Sequence, residues 1–180
     1  MAALLVPEDA EQETPSRKAE SLSIGALFRT YAPMVGTLGM AMLGNRNDAD
    51  DLIQDVFMRA WRGIETLRDP DAVKSWVMGI AVRTARTRLR SRRLARIWFG
   101  TEPANFDQIG SHAAPPEDRV MLARLFGVLE KVPANSRMAW TLRYLHKERL
   151  EDVAALCGCA LSTAKRRIDA AHRIIMEKMT

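Results

Sequence analysis

One stretch decides the fold of the C-terminal part of the chain: Leu150-Glu-Asp-Val-Ala-Ala-Leu-Cys-Gly-Cys-Ala-Leu-Ser-Thr-Ala-Lys-Arg-Arg-Ile168. It predicts two helices, from Glu151 to Cys157 and from Ser162 to about Met179, joined by a tight turn at Gly158. Ala154 is small enough for the helices to cross closely, and apolar residues on both helices can anchor the crossing. This is the pattern of a helix-turn-helix, whose second helix enters the major groove of DNA.

The beginning of that second helix carries the residues that would read DNA. Ser162 is its predicted N-cap. The first turns of a recognition helix contact base edges and phosphates. We therefore predict DNA contacts at Ser162, Thr163, Lys165, Arg166 and Arg167. An αα-hairpin with a solvated basic face is the simpler alternative.

The remainder of the chain also has helical periodicity, and we predict an all-α fold. Apolar residues recur at helical spacing from Ile24, and again from Val120 with a turn at Val132-Pro133. Periodicity is lost between these parts, where five residues favour turns: Gly100, Pro103, Gly110, Pro115 and Pro116. We predict a disordered tail at 1–23 and two small helical domains, 24–97 and 118–180, joined by a flexible linker at 98–117.

An acidic strip lies on the helix predicted from Asp48 to about Ile64, for which Asn47 is the predicted N-cap. One face of this helix is apolar: Leu52, Ile53, Val56, Phe57, Ala60 and Trp61. The opposite face carries three carboxylates and an amide, at about 100° per residue: Asp48, Asp51, Gln54 and Asp55. The helix dipole accounts for carboxylates in the first turn but not for Asp55. We interpret the strip as a surface for a protein partner; a solvated face and a carboxylate catalytic or metal site are the alternatives.

A run of seven arginines without an acidic residue occupies residues 83–96. It continues a helix predicted from Val73 to about Ile97. Arg83, Arg86, Arg90 and Arg93 fall within an arc of about 80°. Like charges repel one another on an isolated helix, so this ridge predicts contact with nucleic-acid phosphates. A solvated run of charge is the alternative.

Composition excludes several other classes of protein. The chain has 180 residues, 47% of them hydrophobic, and a net charge of +5. Cys157 and Cys159 can form neither a disulfide framework nor a complete zinc site, and the three histidines are scattered. No phosphate-binding glycine loop, signal peptide or apolar run of about 18 residues is present in the sequence. We predict a cytoplasmic, non-enzymatic protein without cofactor, metal or membrane insertion.

Together, the two helical parts resemble a bacterial RNA polymerase sigma factor of the extracytoplasmic-function (ECF) type, over residues 24–180. The segment 47–61 resembles the part that binds the clamp coiled coil of the largest polymerase subunit. Trp76-Val-Met-Gly-Ile-Ala-Val82 and the following arginines resemble the part that melts and reads the minus-ten promoter element. Val132-Pro133, Arg137, Leu142-Arg-Tyr144 and 150–168 resemble the module that reads the minus-thirty-five element.

This resemblance implies roles for particular residues. Core polymerase would be bound by Asp48, Asp50, Asp51, Gln54 and Asp55. The minus-ten element, partly as a single strand, would be bound by Arg68, Asp69, Trp76, Arg83, Arg86, Arg90 and Arg93. The two domains would be sigma regions 2 and 4, acting in the cytoplasm at the nucleoid, and an anti-sigma factor would be a further partner. The alternative is a stand-alone helix-turn-helix regulator that binds duplex DNA.

The chain departs from the family pattern at several positions. Arg83 stands where Asn is usual, and Thr87 where Asp is frequent. In the recognition helix, Asp169 and Ala170 replace residues that are often aromatic or basic, and His172 replaces a frequent Arg. These departures lie in the segments that the resemblance assigns to reading the minus-ten and minus-thirty-five elements, so they affect the expected promoter specificity.

Overall fold

A computed structural model describes residues 23–99 and 116–179, and every regular element in these ranges is helical. The all-α prediction is therefore confirmed. The predicted tail up to residue 22 and the linker residues 100–115 lie outside the described residues. The helices are α1 (Ile24–Leu43), α2 (Arg46–Gly63), α3 (Val73–Phe99), α4 (Pro116–Glu130), α5 (Ala134–Trp140), α6 (Leu150–Cys157) and α7 (Leu161–Met179).

Helices α1, α2 and α3 pack against one another in the N-terminal half. The Ser23 hydroxyl accepts a hydrogen bond from the Ala26 amide at the start of α1. The helix ends at Gly44, whose φ of 78° suits glycine. Gly39 lies at a close approach of α1 and α2, since a Cβ there would be 2.9 Å from the Cα of Ala49. The core between the helices is mainly apolar, with Val35, Leu38, Met42, Leu52, Val56, Val77 and Met78 buried. The buried hydroxyl of Thr84 donates a hydrogen bond to the Ile80 carbonyl within α3.

Two predictions about α2 are wrong. Its N-cap is Asn45 rather than Asn47, because Asn45 is extended and its Oδ1 accepts a hydrogen bond from the Asp48 amide at 2.8 Å. Trp61 is 59% exposed rather than part of the core. It lies about 100° beyond the fully buried Ala60, which turns its side chain off the buried face.

The C-terminal half contains the helix-turn-helix. Gly158 adopts a left-handed φ of 57° between α6 and α7. The Gly158 amide donates to the Ala155 carbonyl, and the Cys159 amide to that of Ala154, as in a Schellman turn. Apolar residues of both helices are buried at the crossing: Val153, Ala154, Cys157, Ala164, Ile168 and Ala171.

Ser162 is not the N-cap of α7, contrary to prediction. The helix begins at Leu161, and its first turn is closed by a hydrogen bond of 3.0 Å from the Ala164 amide to the Ala160 carbonyl. Ser162 is thus the second residue of the helix, and its side chain is exposed. It therefore lies on the helix surface at the end proposed to face DNA.

The two halves contact each other. Helix α1 packs against α4 and α5, and α3 packs against α6. Lys74 Nζ lies 2.6 Å from Glu148 Oε1, and Arg86 Nη2 donates to the Cys157 carbonyl oxygen at 2.7 Å. These polar contacts join the start of α3 to the segment before α6, and the middle of α3 to the last residue of α6.

Candidate functional site

The acidic strip, defined here as Asp48, Asp50, Asp51, Gln54 and Asp55, lies along one face of α2. The side chains of Asp50 and Asp51 are 60% and 62% exposed, and Gln54 is also exposed. Asp48 and Asp55 are less accessible because neighbouring side chains cover part of them. The strip therefore offers carboxylates and one amide to a basic partner from consecutive turns of the helix.

Two arginines of α3, Arg88 and Arg92, form ion pairs with carboxylates of the acidic strip. Arg88 donates to Asp55 Oδ2 from Nε at 3.0 Å and from Nη2 at 2.5 Å, and its Nη1 lies 3.7 Å from Asp51 Oδ2. Arg92 pairs with Asp48, and its Nη1 donates to the Leu43 carbonyl at 2.5 Å. Part of the arginine run is therefore used to join α3 to α2.

The exposed ridge of α3 consists of Arg83, Arg90 and Arg93. These side chains point to solvent and have no hydrogen bond or ion pair to any residue of the described ranges. Arg86, predicted as the fourth member of the ridge, is half-buried and donates to the Cys157 carbonyl. The structure thus divides six of the seven arginines into an exposed ridge, one contact between the halves and two supports for the acidic strip. The side chain of Arg96 lies outside the described residues.

The loop before α3 presents the other residues predicted to contact the minus-ten element. Asp69 Oδ1 accepts a hydrogen bond from the Asp71 amide at 2.9 Å and caps the short 3₁₀ turn Pro70–Ala72. Arg68 is exposed. Trp76 is half-buried in the first turn of α3 and its ring lies beside Gly63. A capped turn therefore leads to an aromatic side chain that is only partly buried.

On α7, Ser162, Lys165 and Arg166 are exposed, whereas Thr163 and Arg167 are half-buried. Burial raises the pKa of the Cys157 thiol, and the positive charges of Arg86 and Arg167 oppose this shift. Arg167 and Arg86, from opposite halves of the chain, therefore both lie near Cys157. The exposed cations at the start of α7 are therefore Lys165 and Arg166.

Several contacts at these surfaces were not predicted from the sequence. The pairing of Arg88 and Arg92 with the strip was missed, although their spacing of four residues places them on one face of α3. Tyr144 stacks on His172, with ring centroids 5.4 Å apart, and lies 5.1 Å from Trp140. His146 is largely buried, and burial lowers its pKa to about 4; Glu148 opposes this shift and Lys74 adds to it.

Two negative observations concern the described ranges. Within residues 23–99 and 116–179, no three His, Cys, Asp or Glu side chains are grouped so that they could hold a metal ion. In the same ranges, no helix has the length and apolar character needed to cross a membrane.

Comparison with known proteins identifies the family. Residues 27–95, from α1 into α3, match the family model of sigma-70 region 2. Over 172 residues the chain is 30% identical to the ECF RNA polymerase sigma-E factor of Escherichia coli K12. This alignment covers 91% of this chain and 90% of that protein. The chain belongs to the ECF family of RNA polymerase sigma factors. It is also 31% identical over 144 residues to the sigma-E factor of Haemophilus influenzae, covering 75% of this chain and 76% of that protein.

Solved structures agree with this fold. The sigma factor RpoE of Bartonella quintana, in a complex with the anti-sigma factor NepR, superposes with a TM-score of 0.71 at 23% identity. The match covers 92% of this chain and 97% of that one. As a sigma factor, the protein binds core RNA polymerase and directs initiation at specific promoters. Family membership decides against a stand-alone helix-turn-helix regulator.

Proposed function

We propose that the acidic strip of α2 is the surface by which this sigma factor binds the clamp coiled coil of the largest polymerase subunit. The observation that carries the proposal is the exposed carboxylate surface on α2, which is separate from the exposed arginine ridge of opposite charge on α3. A carboxylate strip suits a basic protein surface, whereas the arginine ridge suits phosphates. Region 2 can then contact polymerase and promoter at the same time.

The minus-ten element would be bound by the exposed ridge together with the loop before α3. Arg83, Arg90 and Arg93 have exposed guanidinium groups without a partner among the described residues, and these groups can follow a phosphate backbone. Arg68, Asp69 and Trp76 form the adjoining edge, where an aromatic ring can stack on an unpaired base. Arg86 would reach DNA only after it leaves the Cys157 carbonyl.

The minus-thirty-five element would be read in the major groove by the start of α7. Lys165 and Arg166 are the exposed cations there, and Ser162 and Thr163 are hydroxyl donors on the same turn. Arg167 is half-buried and lies toward α6, so it would contact DNA at the edge of this surface. Residues 24–97 and 118–180 would act as regions 2 and 4, respectively.

An anti-sigma factor would regulate the protein. The proposal is supported by two structural neighbours: RpoE, solved with NepR, and CnrH, solved with the cytosolic domain of CnrY. In this account the protein works in the cytoplasm at the nucleoid and has no catalytic activity or cofactor of its own.

A charge reversal that leaves the internal ion pairs intact tests the role of the strip. Asp50 is more than half exposed, and its ion pair with Arg46, the only one it makes within the described residues, is long at 3.6 Å and exposed. Asp50→Lys should weaken binding to core polymerase about tenfold or more, as measured by fluorescence anisotropy of the labelled sigma factor. Glu130→Lys, an exposed reversal at the end of α4, is the matched control. Equal affinity of both variants for core polymerase would remove the strip from this interface.

A further inference from the structure

Arg88, like Arg92, reaches the acidic strip on a different helix, and it contacts two of the strip's carboxylates, Asp51 and Asp55. Its side chain is 26% exposed and makes two hydrogen bonds to Asp55 Oδ2. It also donates to the Asp51 backbone carbonyl at 3.2 Å and lies within ion-pair distance of the Asp51 carboxylate. One guanidinium thus spans a full turn of α2.

The strip needs such a support for a simple electrostatic reason. Asp51 and Asp55 are four residues apart on one helix face, where like charges repel. Both side chains are substantially exposed, so an unsupported carboxylate would sample several rotamers in water. The planar guanidinium holds Asp55 from two nitrogen atoms and limits this freedom. Both hydrogen bonds from Arg88 go to Oδ2 of Asp55, and Oδ1 is not bonded to Arg88.

We propose that Arg88 is a positioning residue for the binding of core polymerase. It fixes the carboxylates of Asp51 and Asp55 in the arrangement that the polymerase accepts, and it joins that surface to the helix that carries the exposed ridge. The proposal rests on the proposed role of the acidic strip. Arg92 supports the first turn of α2 in the same manner, through Asp48 and the Leu43 carbonyl.

This proposal predicts that loss of the Arg88 side chain weakens the binding of core polymerase. The charge of the strip alone would predict the opposite change in affinity. Arg88 is positive and lies next to a surface that must attract a basic partner. If only the electrostatic field mattered, removal of its charge would strengthen the binding of core polymerase. Positioning predicts weaker binding. Without Arg88 the side chains of Asp51 and Asp55 sample several rotamers, and fixing one rotamer on binding costs free energy.

The test compares Arg88→Gln with Arg29→Gln, which removes the same charge from an exposed position of α1. Both variants are checked for native helix content by circular dichroism and titrated with core polymerase by anisotropy. Arg88→Gln should lower affinity about fivefold, whereas Arg29→Gln should leave it within twofold of the wild type. Arg88→Lys keeps the charge but cannot span both carboxylates, and it should also bind more weakly than wild type. Unchanged or tighter binding by Arg88→Gln overturns the proposal.

A double-mutant cycle with Asp55→Asn separates positioning from a general loss of structure. If Arg88 acts through Asp55, Arg88→Gln should weaken polymerase binding less in the Asp55→Asn protein than in the wild type. Fully additive effects would show that Arg88 acts elsewhere and would overturn the proposal. The proposed function is tested separately by Asp50→Lys, whose carboxylate Arg88 does not touch. Weaker binding by Asp50→Lys with normal binding by Arg88→Gln would reject only the positioning role.

Discussion

The guanidinium of Arg86, in the middle of α3, donates a hydrogen bond of 2.7 Å to the carbonyl oxygen of Cys157, the last residue of α6. Carbonyl oxygens at a helix C-terminus carry partial negative charge, so a cation is favourable there. The bond connects the helix that bears the exposed ridge to the helix-turn-helix. Together with Lys74 and Glu148, it docks the two halves of the sigma factor.

The docking contact predicts the effect of a charge swap. Lys74→Glu would place a second carboxylate next to Glu148, which is only 12% exposed. The repulsion should loosen the contact between the halves and raise the radius of gyration measured by small-angle X-ray scattering. The double variant Lys74→Glu/Glu148→Lys restores opposite charges and should return the radius toward the wild-type value. No difference among these three proteins would show that the pair does not hold the halves together.

The close approach of α1 and α2 predicts a steric effect at Gly39. Gly39→Ala would place its Cβ 2.9 Å from the backbone of Ala49, so one helix would have to move. We expect a loss of about 1–3 kcal/mol in the free energy of unfolding. Gly127→Ala on α4 is the matched control, since its Cβ would meet no atom within 4 Å and alanine favours the helix. Urea unfolding should rank Gly39→Ala below wild type and Gly127→Ala at or above it; the reverse order would contradict the packing.

The buried His146 predicts a dependence of stability on pH. Burial lowers its pKa from 6.5 to about 4, so between these values the unfolded chain binds a proton that the folded chain does not. Stability from this group is therefore fully present above pH 6.5 and declines as the pH falls toward 4, by about 3 kcal/mol in all. His146→Gln should remove this contribution, giving a shallower loss of stability than wild type in urea unfolding from pH 7 to 4. Parallel curves for the two proteins would show that His146 does not titrate in this way.

The exposed cations of α7 predict the salt dependence of promoter binding. Lys165→Ala and Arg166→Ala should each weaken binding of the polymerase holoenzyme to its promoter. Loss of a phosphate contact should also reduce the slope of log affinity against log salt by about 1. Lys178→Ala, an exposed lysine in the last turn of the same helix, should leave the slope unchanged. An equal slope for all of these variants would show that the start of α7 does not contact phosphate.

The sequence predicted the helices and the helix-turn-helix well because these depend on local patterns. Apolar periodicity marks the buried faces, and Gly158 marks the turn in the left-handed conformation. The helix starts were less certain because neighbouring residues compete to cap a helix: Asn45 rather than Asn47 caps α2, and α7 begins one residue before Ser162. Such differences depend on the backbone conformation of one residue.

The sequence did not show which arginines of α3 are exposed and which contact other helices. Periodicity placed Arg83, Arg86, Arg90 and Arg93 on one arc, but Arg86 turns toward Cys157 in the other half. Arg88 and Arg92 find their carboxylates only when α3 packs against α2, a contact between residues far apart in the chain. The roles of these side chains therefore depend on tertiary packing rather than on helix periodicity.

The most direct test of the account is run-off transcription by purified core polymerase on a library of genomic promoters, with and without this protein. The account predicts initiation at a defined set of promoters only when the protein is present, and a lower yield from those promoters with Asp50→Lys or with Lys165→Ala. Promoter-specific initiation that both substitutions leave unchanged would contradict it, as would an absence of any initiation that depends on the protein.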